Sequence, residues 1–271
     1  TLWAAGRSHG YLLGKKFEER DGVYWTKIAD DVKYVSVGLW ASMIIKRDNS
    51  LWIAGTNYEG ALGMGYHEEE TQLKEYTQVD DDVAECSISA STAIYLKKDG
   101  TAYVAGENVA GALGLGHFDN VNKFTKITKI RGGVKAVGTS YGTASALILD
   151  NPESSLFMAG SQRMGQLGIG NPRTGESMWM VGWSPRDEDD QTGPPRADGN
   201  PDDWPDEICL TPYFRHVRDH VKKVSLGGLH TMILTNKNNL YACGGWERYN
   251  YTYALGADGK SHYYPVKVAS Y

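Results

Sequence analysis

The sequence predicts an all-β protein, a β-propeller of four-stranded antiparallel blades, and three observations predict it. A phrase made of an aromatic-containing strand, a small residue with Gly, and then Leu-Gly recurs five times along the 271 residues. A second apolar phrase, Val-x-x-Val or a close variant, returns between the copies. A more polar strand follows the Leu-Gly loop. The copies begin 49, 51, 54 and 84 residues apart. A period near 50 built from short strands describes an array of small sheets, none able to bury both faces alone.

The aromatic strand comes first. It reads Leu2-Trp3-Ala4-Ala5-Gly6 before Leu13-Gly14, and Leu51-Trp52-Ile53-Ala54-Gly55 before Leu62-Gly63. It returns as Ala102 to Gly106 with Leu113-Gly114, Leu156 to Gly160 with Leu167-Gly168, and Leu240 to Gly244 with Leu255-Gly256. The two glycines are eight apart in four copies and twelve in the fifth. Nothing helical follows, so the glycines are expected to supply positive φ and close backbone approach rather than a phosphate cradle. Leu62, Leu113 and Leu167 are expected to plug the space between blades.

The Val-x-x-Val strand opens at Val32, Val83, Val134 and Val221, with Val35, Cys86, Val137 and Val224 three positions on. Gly38, Ser89, Ser140 and Gly227 then break it. A second apolar strand follows over 41–45, 92–96, 143–149 and 230–234. It ends in turns such as Lys98-Asp99-Gly100 or Lys237-Asn238-Asn239, which close a hairpin with the aromatic strand. The fourth strand spans 24–28, 74–79, 124–127 and 265–268. Hydrophobicity falls from the Val-x-x-Val strand to this last one, which places the first at a crowded axis and the fourth toward solvent.

The chain thus opens on a third and fourth strand, and four complete units follow. That makes ~18 strands in one domain over 1–271, two short of five closed blades. Such a count is expected of part of a longer propeller, or of a first blade completed by strands from outside, since an uncovered edge invites aggregation.

These phrases resemble the repeat of the regulator of chromosome condensation family. The run Gly160-Ser161-Gln162-Arg163-Met164-Gly165-Gln166-Leu167-Gly168-Ile169-Gly170 nearly completes that motif, and the loops after Gly55 and Gly106 keep its Asn57 and Asn108. Its second half appears once in full, as Leu226-Gly227-Gly228-Leu229-His230-Thr231. The resemblance covers nearly all of the chain except about 171–210. It implies a propeller, commonly seven-bladed, which different members use for nucleotide exchange on a small GTPase, chromatin docking, enzyme inhibition, light sensing or adaptor work. Fold does not choose among these. The tryptophan-rich motif of the ultraviolet photoreceptor members is absent: Trp3 and Trp52 fall at repeat core positions, and Trp25 and Trp40 are scattered.

A net charge of −5 argues against a general nucleic-acid-binding surface. No apolar run reaches the ~18–20 residues of a membrane helix, so no membrane insertion is expected. Cys86 and Cys243 read as small buried hydrophobes. With Cys209 they make an odd count without paired spacing, which points to a reducing compartment, cytoplasm or nucleus, while a virion or organelle assembly is compatible. His216 and His220 stand four apart on strand-rich sequence, where that spacing does not build a zinc site, and no Cys or third His lies near. The runs Glu68-Glu69-Glu70 and Asp80-Asp81-Asp82 read as solvated turns. No catalytic residue, cofactor or metal site is expected.

The main irregularity is an insertion over about 174–209. It holds ten acidic residues, among them Asp187-Glu188-Asp189-Asp190, against Arg186 and Arg196, and five of the nine prolines. That composition suits a solvated surface loop. Trp179, Trp183 and Trp204 are large apolar anchors within it, and exposed aromatics are the usual hot-spot chemistry. Trp179, Trp183, Asp189, Asp190 and Trp204 are therefore the candidate partner-binding residues. The expected function is a non-enzymatic protein-interaction or scaffold propeller, a subunit of a larger assembly with protein partners. The alternative is a guanine-nucleotide exchange regulator of a small GTPase.

Overall fold

A computed structural model describes residues 1–6, 11–14, 24–65, 71–130, 132–162, 165–169, 210–244 and 262–270. Within them lie eighteen strands in five antiparallel sheets. A half-blade pairs β1 (Leu2–Ala4) with β2 (Thr26–Ala29). The first full blade is β3 (Val32–Val37), β4 (Ala41–Lys46), β5 (Leu51–Thr56) and β6 (Gln72–Asp80). The second is β7 (Val83–Ile88), β8 (Thr92–Lys97), β9 (Ala102–Gly106) and β10 (Val121–Lys126). The third is β11 (Val134–Thr139), β12 (Ala144–Leu149), β13 (Leu156–Ser161) and β14 (Leu210–Arg218). The fourth is β15 (Val221–Leu226), β16 (His230–Thr235), β17 (Asn239–Gly244) and β18 (His262–Ser270). Every full blade is a meander in chain order, as the sequence predicts.

The turns that close the second and third strands need one residue in the left-handed region, and Asn49, Gly100, Ser154 and Asn238 supply it. Backbone bonds then tie each turn to the link between blades: Arg47 N–H donates to Asp31 O, Lys98 N–H to Asp82 O, and Asn236 N–H to His220 O. At the other end of the blade, the loop after the aromatic strand is closed from inside by one amide side chain. Leu113 N–H donates to Asn108 Oδ1 at 2.9 Å, Leu62 N–H to Asn57 Oδ1 at 3.2 Å, and Leu167 N–H to Gln162 Oε1 at 2.9 Å. Asn108 is fully buried and its Nδ2 also donates to His117 O at 2.8 Å. The recurrent Asn or Gln is thus the internal strut of the loop.

Burial is a property of the junctions. β8 shows why: it is buried along nearly its whole length, with Ala93 and Tyr95 facing the first blade while Ile94 and Leu96 face the third. Three apolar clusters result, one between each neighbouring pair of full blades. Leu62, Leu113 and Leu167 each enter the cluster shared with the next blade, which is the plug the sequence predicts. The glycine after each leucine lets the loop lie flat on the next outer strand. A Cβ on Gly63 would collide with the Phe124 ring, one on Gly114 with Phe214, and one on Gly14 with Tyr76.

Two expectations need correction. The first strand of each full blade is less buried than the second and third, because those two have a sheet neighbour on both edges whereas the first has one. Trp3, placed at a core position by the repeat, is 52% exposed. It lies opposite Lys27 in a sheet of only two described strands, β1 and β2.

The first strands are stitched to one another instead. Each has one edge without a strand, and on β7 and β11 side chains of the preceding blade satisfy part of it. Ile88 N–H donates to Ser36 Oγ at 3.0 Å, Val137 N–H to Glu85 Oε2 at 3.0 Å, and Thr139 N–H to Ser87 Oγ at 3.2 Å. Buried amides demand such partners. Burial pushes the Glu85 carboxyl above its ordinary pKa, and the Val137 N–H and Lys223 oppose that rise.

Candidate partner-binding face

The blades present two ends to solvent, and they differ chemically. One end carries the hairpin turns and the links between blades, where cations and carboxylates mix. There Asp80 accepts from Lys97 Nζ at 2.8 Å and from Tyr95 OH at 2.9 Å. Burial raises the Asp80 pKa, but Lys97, the Asp81 N–H and the Tyr95 hydroxyl outweigh it, leaving the carboxyl below its ordinary value.

The other end carries the first-to-second-strand loops (38–41, 89–91, 140–143, 227–229) and the loops after the aromatic strands. The short loops touch in series. A Cβ on Gly38 would collide with Ser89 O, Ser91 Oγ donates to Glu107 Oε2 at 2.5 Å beside Gly142, and Thr143 Oγ1 donates to Gly228 O at 3.1 Å. On this rigid rim stand apolar side chains with no core to fill. Trp40 stacks on Tyr58 with ring centroids 5.8 Å apart, Leu39 is exposed beside them, and Val109 and Tyr141 are 58% and 59% exposed. The described loop residues on this face carry Glu59, Glu107 and Asp119 but neither lysine nor arginine. Asn120 Nδ2 donates to Glu59 Oε2 at 2.7 Å.

The insertion has its roots on this face, since Ser161 pairs with Leu210 at the ends of β13 and β14. Trp179, Trp183, Asp189, Asp190 and Trp204 lie outside the described residues. By sequence the segment 174–209 carries −8, more than the −5 of the whole chain, so the remainder stands at +3. Sequence reasoning missed the Trp40, Tyr58, Val109 and Tyr141 set. The signal was there: Tyr58 and Val109 both follow the loop-closing Asn, and Leu39 and Tyr141 both follow the residue that ends a first strand. These are positions where the repeat itself requires nothing apolar.

The other titratable groups are structural. Burial holds Cys243 up to about 12, and burial followed by the nearby Glu85 raises Cys86 further, so neither offers a thiolate. His216 Nε2 lies 2.8 Å from Asp219 Oδ1 rather than facing His220. Among the described residues, no three His, Cys, Asp or Glu side chains group to hold a metal, and no helix is long and apolar enough to cross a membrane.

The family model for the regulator of chromosome condensation (RCC1) repeat matches residues 221–250. The fold agrees. Human WBSCR16 superposes with a TM-score of 0.70 at 17% identity, over 98% of this chain and 60% of that one. Prp20p from Saccharomyces cerevisiae superposes with a TM-score of 0.67 at 14% identity, over 99% of this chain and 58% of that one. This chain has the fold of an RCC1-like β-propeller. In sequence the propeller is 30% identical over 169 residues to human X-linked retinitis pigmentosa GTPase regulator, covering 59% of this chain but 16% of that protein. It spans about three fifths of the two solved propellers. The Prp20p structure is described together with that protein's binding to Gsp1p and histones, and a further structure holds yeast Prp20 bound to Kap60.

Proposed function

We propose that this propeller is a non-enzymatic protein-binding module, a subunit of a larger assembly, that recognises its partner with the loop face. The observation that carries the reading is the rim of Leu39, Trp40, Tyr58, Val109 and Tyr141, apolar side chains held on a braced scaffold without a core to fill. Aromatic anchors on rigid elements are what interface hot spots are made of. The insertion rooted there contributes Trp179, Trp183 and Trp204 as further anchors, with Asp189 and Asp190 as charges that set partner choice. That solved relatives of this fold are described with bound proteins supports a protein partner over a small-molecule substrate.

The test is affinity capture with three baits: the whole chain, the chain with 174–209 replaced by a Gly-Ser linker, and the Trp40→Ala/Tyr58→Ala double variant. A stoichiometric partner held by the first and lost from the other two is expected. Undiminished capture by both altered baits would overturn the reading. Accelerated nucleotide release from a captured small GTPase would instead favour the exchange-regulator alternative.

A further inference from the structure

Resting on that reading and deepening it, we infer that the loop face takes an extended protein segment bearing lysine or arginine with apolar side chains between them, and that Glu107 is its charge anchor. Three features of the rim select this occupant. First, Glu107 is held in place: Ser91 Oγ donates to its Oε2 at 2.5 Å, and Gly142 is the residue beside it, where any Cβ would strike that oxygen. No cation lies within ion-pair reach of Glu107 among the described residues. A carboxylate fixed at a rim without a counter-charge is preorganised for one supplied from outside.

Second, Val109 and Tyr141 stand exposed on the loops that flank this carboxylate, and the Trp40–Tyr58 stack stands on the adjoining blade, joined through the Gly38–Ser89 contact. The stack offers π-faces of the kind that attract guanidinium and ammonium groups. Third, the described loop residues of this face carry three acids and no lysine or arginine, a balance that favours a basic occupant over an acidic one. The opposite end mixes both signs and offers no such selection.

The probe is a short synthetic peptide alternating lysine and leucine, titrated by fluorescence anisotropy, with two control peptides: glutamate in place of lysine, and glycine in place of leucine. Saturable binding of the first peptide alone is expected, weakening as salt rises. Glu107→Gln, Tyr58→Ser and Tyr141→Ser should each weaken it about tenfold, and Asp150→Asn on the opposite end should leave it unchanged. Glu107→Asp, which keeps the charge but shortens its reach, separates loss of the anchor from loss of the fold, as does an unchanged unfolding midpoint. Affinity that ignores Glu107 and the aromatics, or that vanishes only when 174–209 is replaced, would overturn the inference while leaving the broader reading intact. Loss of natural-partner capture through residues elsewhere would overturn both.

Discussion

Val35 on β3 and Cys86 on β7 occupy the same place in successive blades, opposite Ile44 and Tyr95 of their second strands. Yet Val35 is 42% exposed and Cys86 fully buried, and Val37 is 55% exposed where its counterpart Ile88 is 5%. The sequences of the two strands do not explain this, since both carry apolar residues at the same spacing. The neighbour does. Cys86 and Ile88 lie under a complete first blade, whereas Val35 and Val37 look toward a half-blade consisting of β1 and β2 alone. Stability in this architecture therefore sits between blades, where each sheet finishes the core of the next.

Paired substitutions sharpen that contrast. The largest difference is expected at the glycine ending the aromatic strand. Gly106 has φ +109 and no room for a Cβ against Ser91 O, so Gly106→Ala should cost about 3 kcal/mol or more in chemical denaturation. Gly6 has φ +116 but nothing within 4 Å, so Gly6→Ala should cost only backbone strain, about 1 kcal/mol. Equal losses would mean that conformation alone, not the neighbouring strand of the same blade, governs these sites.

Next in size, Leu113→Ala should cost about 3 kcal/mol by opening a cavity between the second and third blades. Val137→Ala, in the same junction, should cost about 2 kcal/mol, against less than about 1 kcal/mol for Val35→Ala. A smaller effect is expected from pH. The lowered pKa of Asp80 means that its pairing with Lys97 stabilises the fold above the ordinary carboxylate range and is lost as pH falls through the lowered value. The half-blade has Ala29 where the first blade has Asp80, each opposite the opening Leu of its aromatic strand. Asp80→Asn should therefore flatten the acid limb of the stability profile, and an unchanged limb would contradict the pairing.

Much of the fold was legible because the repeat writes each strand with its own marker: Val-x-x-Val for the first, the aromatic for the third, Leu-Gly for the loop. The strand count follows directly. What was not legible depends on the neighbouring blade. The seat of the loop glycines on Tyr76, Phe124 and Phe214, and the capping of Ile88, Val137 and Thr139 by Ser36, Glu85 and Ser87 across 52 residues, are long-range contacts between weakly patterned strands. The exposed apolar rim was missed for a different reason. Leu39, Tyr58, Val109 and Tyr141 stand at loop positions where the repeat requires nothing apolar, and a search for the strands and glycines of the repeat passes over them.

The most direct measurement is residue-resolved amide hydrogen exchange along the first strands. The amides of Ile88, Val137 and Thr139, bonded to side chains of the preceding blade, should exchange slowly, near the global limit, while those of Val35 and Val37, which have no such bond among the described residues, should exchange far faster. Uniform protection along β3, β7 and β11 would contradict the view that each blade is sealed by the one before it.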